Sequence, residues 1–191
     1  MEREAIEQAA RLAGFTQVQT LEEPVAAALA YSRAGLKVGR HVLVYDLGGG
    51  TFNLALLRQE ADGFELAMPP KDLRRCGGDD FDEALYDWCD EDAERQWGAP
   101  LNGQGRVRLL RDCRKHKEDL SAHDKALFSS LVGEGRVFRH TLTRETFEGL
   151  IAARVDTMVR LTANLVRAAE GQGLAVDTAV LTGGSSRIPL V

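Results

Sequence analysis

The sequence predicts an α/β fold built around a mixed sheet, and three observations carry that expectation. Short apolar runs at 41–45 (HVLVY), 52–57 (FNLALL) and 178–182 (TAVLT) have the length and residue types of strands. A long helical pattern at 144–169 stands between the second and third of these runs. Two of the runs lead into glycine turns, Asp46-Leu47-Gly48-Gly49-Gly50-Thr51 and Gly183-Gly184-Ser185-Ser186. Strands in a meander, an excursion, a long helix and a returning strand make a mixed sheet with helices packed on it.

The elements follow in order. Residues 2–13 read as a helix, with Ile6, Ala9, Ala10 and Ala13 at helical spacing; Gly14 is placed to stop it, with Phe15 folding back. A second helix spans about 23–34, with Pro24 in the first turn, where its missing N–H costs nothing, and Gly35 closing it. The runs at 41–45 and 52–57 form a hairpin across the glycine turn, and 64–68 supplies a third strand that Pro69-Pro70 ends. Residues 79–97 read as a helix with Phe81, Leu85 and Trp88 on one side. A helix at about 105–121 carries Val107, Leu110, Cys113 and Leu120. Runs at 126–132 and 137–142 form a second hairpin across Gly133-Glu134-Gly135. The 144–169 helix has one apolar stripe, Phe147, Leu150, Ile151, Val155, Met158, Leu161, Leu165 and Val166, with Thr143 as its N-cap. After Gly171-Gln172-Gly173 comes the last strand, 178–182.

This order suggests a sheet subdomain made of 36–71 and 143–191, a smaller α+β subdomain at 72–142, and a leading helical segment at 1–35. The chain starts inside a helical pattern and stops at Pro189-Leu190-Val191, just past a glycine turn, so the sequence reads as part of a longer protein.

Composition excludes several functions. Among 191 residues, 44% are hydrophobic and 28% charged, as in an ordinary globular domain. The net charge of −5 offers no broad attraction to nucleic acid or anionic lipid. No apolar run approaches a membrane span, and no signal-peptide pattern opens the chain. Cys76, Cys89 and Cys113 are odd in number and widely spaced, which suits free thiols and a cytoplasmic setting.

The chemistry is expected at the two glycine turns. Glycines admit positive φ and leave room for a ligand, so successive backbone N–H groups can converge on a phosphate. Asp46 ends its strand; a carboxylate repels phosphate but holds a divalent cation through water. Thr51 adds a hydroxyl. The plain alternative for this turn is a tight hairpin with Asp46 bonded to its own backbone. The second turn is expected to open a helix whose N-terminus favours negative charge. Asp79, Asp80 and Asp82 read as helix-start residues, and Arg106, Arg108, Arg111, Arg114 and Lys115 as a solvated helix face, with Arg114 a candidate exception. Trp88 and Trp97 read as packing residues.

LEEPVAAALAYS, VLVYDLGGGTFN, CGGDDFDEALYDW, CRKHKEDLS, LTRETFEGLI and AVLTGGSSRIPLV occur here in the order and spacing found in the DnaK-like heat shock protein 70 family. The resemblance covers nearly the whole chain. It implies the second lobe of an actin-like (ribonuclease-H-like) ATPase domain, preceded by helices that cross from a first lobe. ATP or ADP with magnesium is the implied cofactor. By this resemblance Gly48, Gly49, Gly50 and Thr51 contact the β- and γ-phosphates, and Asp46 organises the magnesium shell through water. Gly183, Gly184, Ser185 and Arg187 hold the α-phosphate and adenosine, Gly78 lies near the nucleoside, and Lys117 and Ser121 reach ribose and adenine. Glu23 and Pro24 match the pair used in catalysis and in signalling to a peptide-binding domain. A J-domain co-chaperone and a nucleotide exchange factor are the implied partners.

Two positions depart from the family pattern. Asn53 stands where an aspartate is usual, and Arg114 where a glutamate contacts the ribose. The resemblance therefore leaves two readings: an ATP-binding chaperone lobe, inactive without its opposing lobe, or a non-catalytic nucleotide-sensing or protein-interaction module. A small-molecule kinase of the same superfamily lacks support, since no sugar site is recognisable.

Overall fold

The structure, a computed structural model, describes residues 2–35, 39–98, 103–131 and 137–191. Helix α1 (Glu2–Leu12) ends where the amide of Phe15 reaches back to the Ala10 carbonyl, with Gly14 between them at φ 96°. Its side chains Ile6 and Leu12 remain 60% and 82% exposed. Helix α2 (Glu23–Arg33) carries Pro24 in its first turn and buries Val25 and Ala28.

The main sheet has five strands: β1 (His41–Leu47), β2 (Thr51–Glu60), β3 (Gly63–Leu66), β4 (Lys71–Arg74) and β7 (Thr178–Thr182). Strand β2 pairs antiparallel with β1, and with β3 and β4 along different parts of its other edge. Strand β1 pairs parallel with β7, Val42 opposite Thr178 and Asp46 opposite Thr182. Both faces of β1 are covered, which explains its near-continuous apolar sequence. Val42 and Val44 pack with α2, Ala55, Leu57 and Val180, while Leu43 and Leu47 join the larger core of Phe52, Leu54, Leu56, Phe81 and Phe147.

Helices α3 (Gly78–Trp97) and α4 (Gly103–Ala122) and a two-stranded sheet, β5 (Lys125–Leu131) with β6 (Val137–Thr143), make up the excursion. The turn expected at Gly133-Glu134-Gly135 lies outside the described residues. Helix α5 (Arg144–Glu170) starts at Thr143, whose hydroxyl accepts from the Thr146 amide at 3.1 Å, as expected of an N-cap. Among the described residues no helix is long and apolar enough to cross a membrane.

Four expectations need correction. No strand is predicted between 68 and 79, yet β4 forms at Lys71–Arg74; KDLR is polar and mostly exposed and carries no apolar alternation to announce it. On helix α4 Cys113 and Leu120 are buried and Leu110 packs against the core as the pattern suggests, but Val107 is 66% exposed and Leu109 is fully buried instead. The segment after β7 is a four-residue 3-10 turn, Gly184–Arg187, and not the start of an α-helix. None of Gly48, Gly49 and Gly50 has a left-handed φ, so the backbone conformation does not require glycine there, and only at Gly49 would a Cβ come close to a neighbour, 3.3 Å from the Asp79 carboxylate.

Candidate functional site

Three glycine turns meet at one end of the main sheet. The amide of Gly78 donates to the Gly48 carbonyl at 3.0 Å, and the amide of Asp79 to the Gly49 carbonyl at 2.7 Å. From the third turn, the Ser185 hydroxyl donates to the same Gly48 carbonyl at 3.1 Å. The parallel pairing of β1 and β7 brings Gly183 against Leu47. A side chain at Gly77 would overlap the carbonyl of Gly49, so that turn can lie on the hairpin only as glycine.

Around these turns lies a cleft of about 740 Å³, lined by Gly48, Gly49, Gly78, Gly184, Ser185 and Arg187 on one side and by Arg114, Lys117, Glu118 and Ser121 of α4 on the other. Eight residues expected at a nucleotide are thereby brought together: Gly48, Gly49, Gly78, Lys117, Ser121, Gly184, Ser185 and Arg187. The volume is ordinary for a small-molecule site. Gly50 sits exposed at the hairpin tip, and Gly183 is packed against Asp46 and Leu47; neither lines this cleft.

The two cations that α4 brings to the cleft are tied down. The Lys117 ammonium donates to the Gly78 carbonyl at 2.7 Å and pairs with Asp82 Oδ1 at 2.7 Å. Arg114 pairs with Asp82 through Nε at 3.1 Å and with Asp79 through Nη2 at 2.5 Å; its hydrogen bond to Asp82 is the main cause that raises its pKa above the ordinary arginine value. Arg114 is therefore not part of a merely solvated face. The reading of Asp82 as a helix-start residue also fails. Asp80 performs that task, accepting from the Gly77 amide at 2.9 Å, while Asp82 is buried between Lys117 and Arg114. Sequence reasoning missed Asp82 and Glu118, although the spacing of Arg114 and Glu118 put both on one face of a helix.

A second cleft, of about 480 Å³, takes Glu23, Asp46, Thr51 and Asn53, together with Lys71 and Arg74. Asp46 is 7% exposed. Burial raises its pKa above the usual carboxylate value, and the charge of Glu23 and a hydrogen bond with it add to the effect. Asp46 is buried while Glu23 is exposed beside it, and a shared proton or a cation would relieve the repulsion between the two carboxyl groups. Asn53 lies directly across the strand pair from Asp46, and its amide donates to the Thr51 hydroxyl at 3.1 Å. Among the described residues no three His, Cys, Asp or Glu side chains gather as a metal cage. An oxygen-donor pair of this kind fits magnesium, which keeps several of its waters, better than a metal that demands a full protein shell.

A lobe with a mixed sheet, covered on both faces and carrying converging glycine turns at one end, is of the actin-like ATPase class. The family described as Hsp70 protein matches residues 1–191, and the chain belongs to that family. It is 37% identical over 194 residues to a protein named chaperone protein HscA homolog from Shewanella amazonensis. It is also 37% identical over 193 residues to the protein of that name from Ralstonia nicotianae, and over 193 residues to that from Burkholderia mallei. Each alignment covers 100% of this chain and 30% of the relative, so the chain spans about a third of the length of the curated relatives it matches.

Proposed function

We propose that this chain is the nucleotide-holding second lobe of a chaperone ATPase, binding ATP or ADP with magnesium, and that the full-length protein couples hydrolysis to peptide binding. The observation that carries the reading is the convergence of three glycine turns and Lys117 on one cleft. Backbone amides of Gly49 and Gly50, at the hairpin tip, would meet the β- and γ-phosphates, while Gly184, Ser185 and Arg187 face the α-phosphate and adenosine. Lys117 and Ser121 stand at the ribose and base. Asp46, with Glu23 beside it, would hold magnesium, which supplies charge neutralisation at the phosphates. Thr51, ordered by Asn53, positions its hydroxyl at the same end.

In this reading 36–71 with 143–191 is one subdomain, 72–142 another, and 1–35 leads in from an opposing lobe. The exposed apolar side chains of α1 support the last assignment. The opposing lobe and a peptide-binding domain are the partners inside the full-length protein, and a J-domain co-chaperone and an exchange factor those outside it. A role in protein folding under stress, in the cytoplasm, follows from the same family reading, and the three free cysteines agree with a reducing compartment.

Phosphoryl transfer is mostly positioning and electrostatics, so one lobe should bind without turning over. Binding to one wall leaves the phosphates hydrated, and the expected affinity is on the order of tens of micromolar to millimolar. The test is a titration of ADP and of adenosine, each with and without magnesium, followed by amide shifts at the glycine turns, alongside phosphate release with ATP. Shifts at Gly48–Thr51 and Gly183–Ser185 with no release above background are expected. Absence of any shift at millimolar ligand would favour the interaction-module reading, to which Asn53 and the pairing of the Arg114 guanidinium with Asp79 and Asp82 already lend weight.

A further inference from the structure

We infer that Asp82 is a positioning residue of the cleft, acting on nucleotide through Lys117 and Arg114; the inference rests on the nucleotide-binding reading above. Asp82 projects from the second turn of α3 and does not cap that helix, since Asp80 bonds the Gly77 amide. Its side chain is 5% exposed, yet it is shared between two cations that line the cleft from α4. One carboxylate oxygen lies 2.7 Å from Lys117 Nζ and the other 3.1 Å from Arg114 Nε.

Lys117 is the member that depends on this pair. Its side chain is 8% exposed, and among the described residues its ammonium meets the Asp82 carboxylate and the carbonyl of Gly78. A carbonyl orients an ammonium but does not neutralise it. Without the Asp82 charge, the ammonium keeps only the Gly78 carbonyl to orient it and would swing toward water, which takes a cation from its place on the cleft wall. Arg114 differs because Asp79 holds its other end and its side chain is 58% exposed, so it stays charged and near its place. Asp82 therefore sets Lys117 tightly and Arg114 loosely.

The simpler role is a tether between α3 and α4. A tether lowers stability when cut but leaves affinity unchanged in any variant that still folds. Positioning makes the effects of Asp82 and Lys117 on affinity overlap, because one acts through the other.

The experiment is calorimetric titration of ADP with magnesium into the 191-residue chain and its Asp82→Asn, Lys117→Met and Asp82→Asn/Lys117→Met variants, each checked by urea unfolding. Loss of a charge-assisted contact should weaken binding roughly tenfold to a hundredfold in each single variant. The double variant should bind no more weakly than the weaker single one. Should Asp82→Asn alone fail to fold, the double variant, which carries no stranded ammonium, is expected to fold and to match Lys117→Met. Wild-type affinity in folded Asp82→Asn or in Lys117→Met overturns the inference, as do single losses that multiply in the double variant. A double variant that cannot fold makes Asp82 a structural tether and overturns it too. A wild-type chain that binds no ADP overturns the nucleotide reading and this inference together, whereas the other failures leave that reading standing.

Discussion

Gly183 and Gly184 are adjacent in sequence, line the same turn, and should respond to alanine in opposite ways. Gly183 has φ 84° and ψ 147°, a region that side-chain-bearing residues avoid at a cost of about 1–3 kcal/mol. A Cβ there would also overlap the Leu47 carbonyl and lie 2.8 Å from Asp46 Oδ1. Both neighbours belong to β1, the strand paired on both edges and covered on both faces, so the overlap must be relieved by separating β7 from β1. Overpacking of this kind costs a further 1–3 kcal/mol, roughly. Gly183→Ala should therefore lose about 2–6 kcal/mol, a large part of the roughly 5–15 kcal/mol a domain possesses. Gly184 has no neighbour within 4 Å of a Cβ and no left-handed φ, so Gly184→Ala should stay within about 0.5 kcal/mol of wild type. It lines the cleft, however, and should weaken ADP binding while leaving the fold alone. Urea unfolding followed by fluorescence of Trp88 and Trp97, both packed against the main core, reads the stability difference as a midpoint shift of about 1–2 M for Gly183→Ala. A loss below about 1 kcal/mol at Gly183, or an equal loss at Gly184, would refute the argument that the first glycine is required by packing and the second by the ligand.

Asp46 gives a pH test. Its raised pKa means that the folded state keeps a proton the unfolded state has already lost, so its contribution falls as pH rises through that window above the usual aspartate value. Asp46→Asn should flatten this slope, raise the urea midpoint at neutral pH and abolish any stabilisation by magnesium; a lower midpoint at neutral pH would contradict the burial argument. Thr143→Ala removes the bond to the Thr146 amide and should cost about 1 kcal/mol by the same unfolding assay, with an unchanged midpoint counting against the cap. Cys113 is held up by its hydrogen bond with Cys89 and then by burial, and both thiols are fully buried, so neither should react with a disulfide reagent in the native chain at pH 8. All three thiols should react in urea, and rapid labelling of Cys113 in the native chain would place it nearer the surface than the structure does.

Much of this molecule was legible in its sequence because the signals are local. The apolar runs of β1, β2 and β7, the stripe of α5 and the cap at Thr143 are set by residues a few positions apart, whose spacing alone decides which face is apolar. The glycine turns announced themselves for the same reason, and eight of the residues matched to them and to α4 line one cleft. What the sequence could not determine depends on distant partners. The edge strand β4 is held by backbone pairing to β2, which leaves no mark on the side chains of KDLR. That Leu109 is buried and Val107 exposed, beside the expected Cys113 and Leu120, is decided by what packs against α4. Asp82 looked like one of three aspartates at a helix start, and only the tertiary structure places it against Lys117, whose ammonium in turn reaches across 39 residues to the Gly78 carbonyl. Asp46, Thr51 and Glu23 fell into a cleft of their own because alternate residues of a strand face opposite sides of the sheet, and α2 covers the side they share. Local periodicity specifies the elements. The charges that meet between them are specified only when the chain closes, since a pairing of that kind is a matter of distance in space and has no period in sequence.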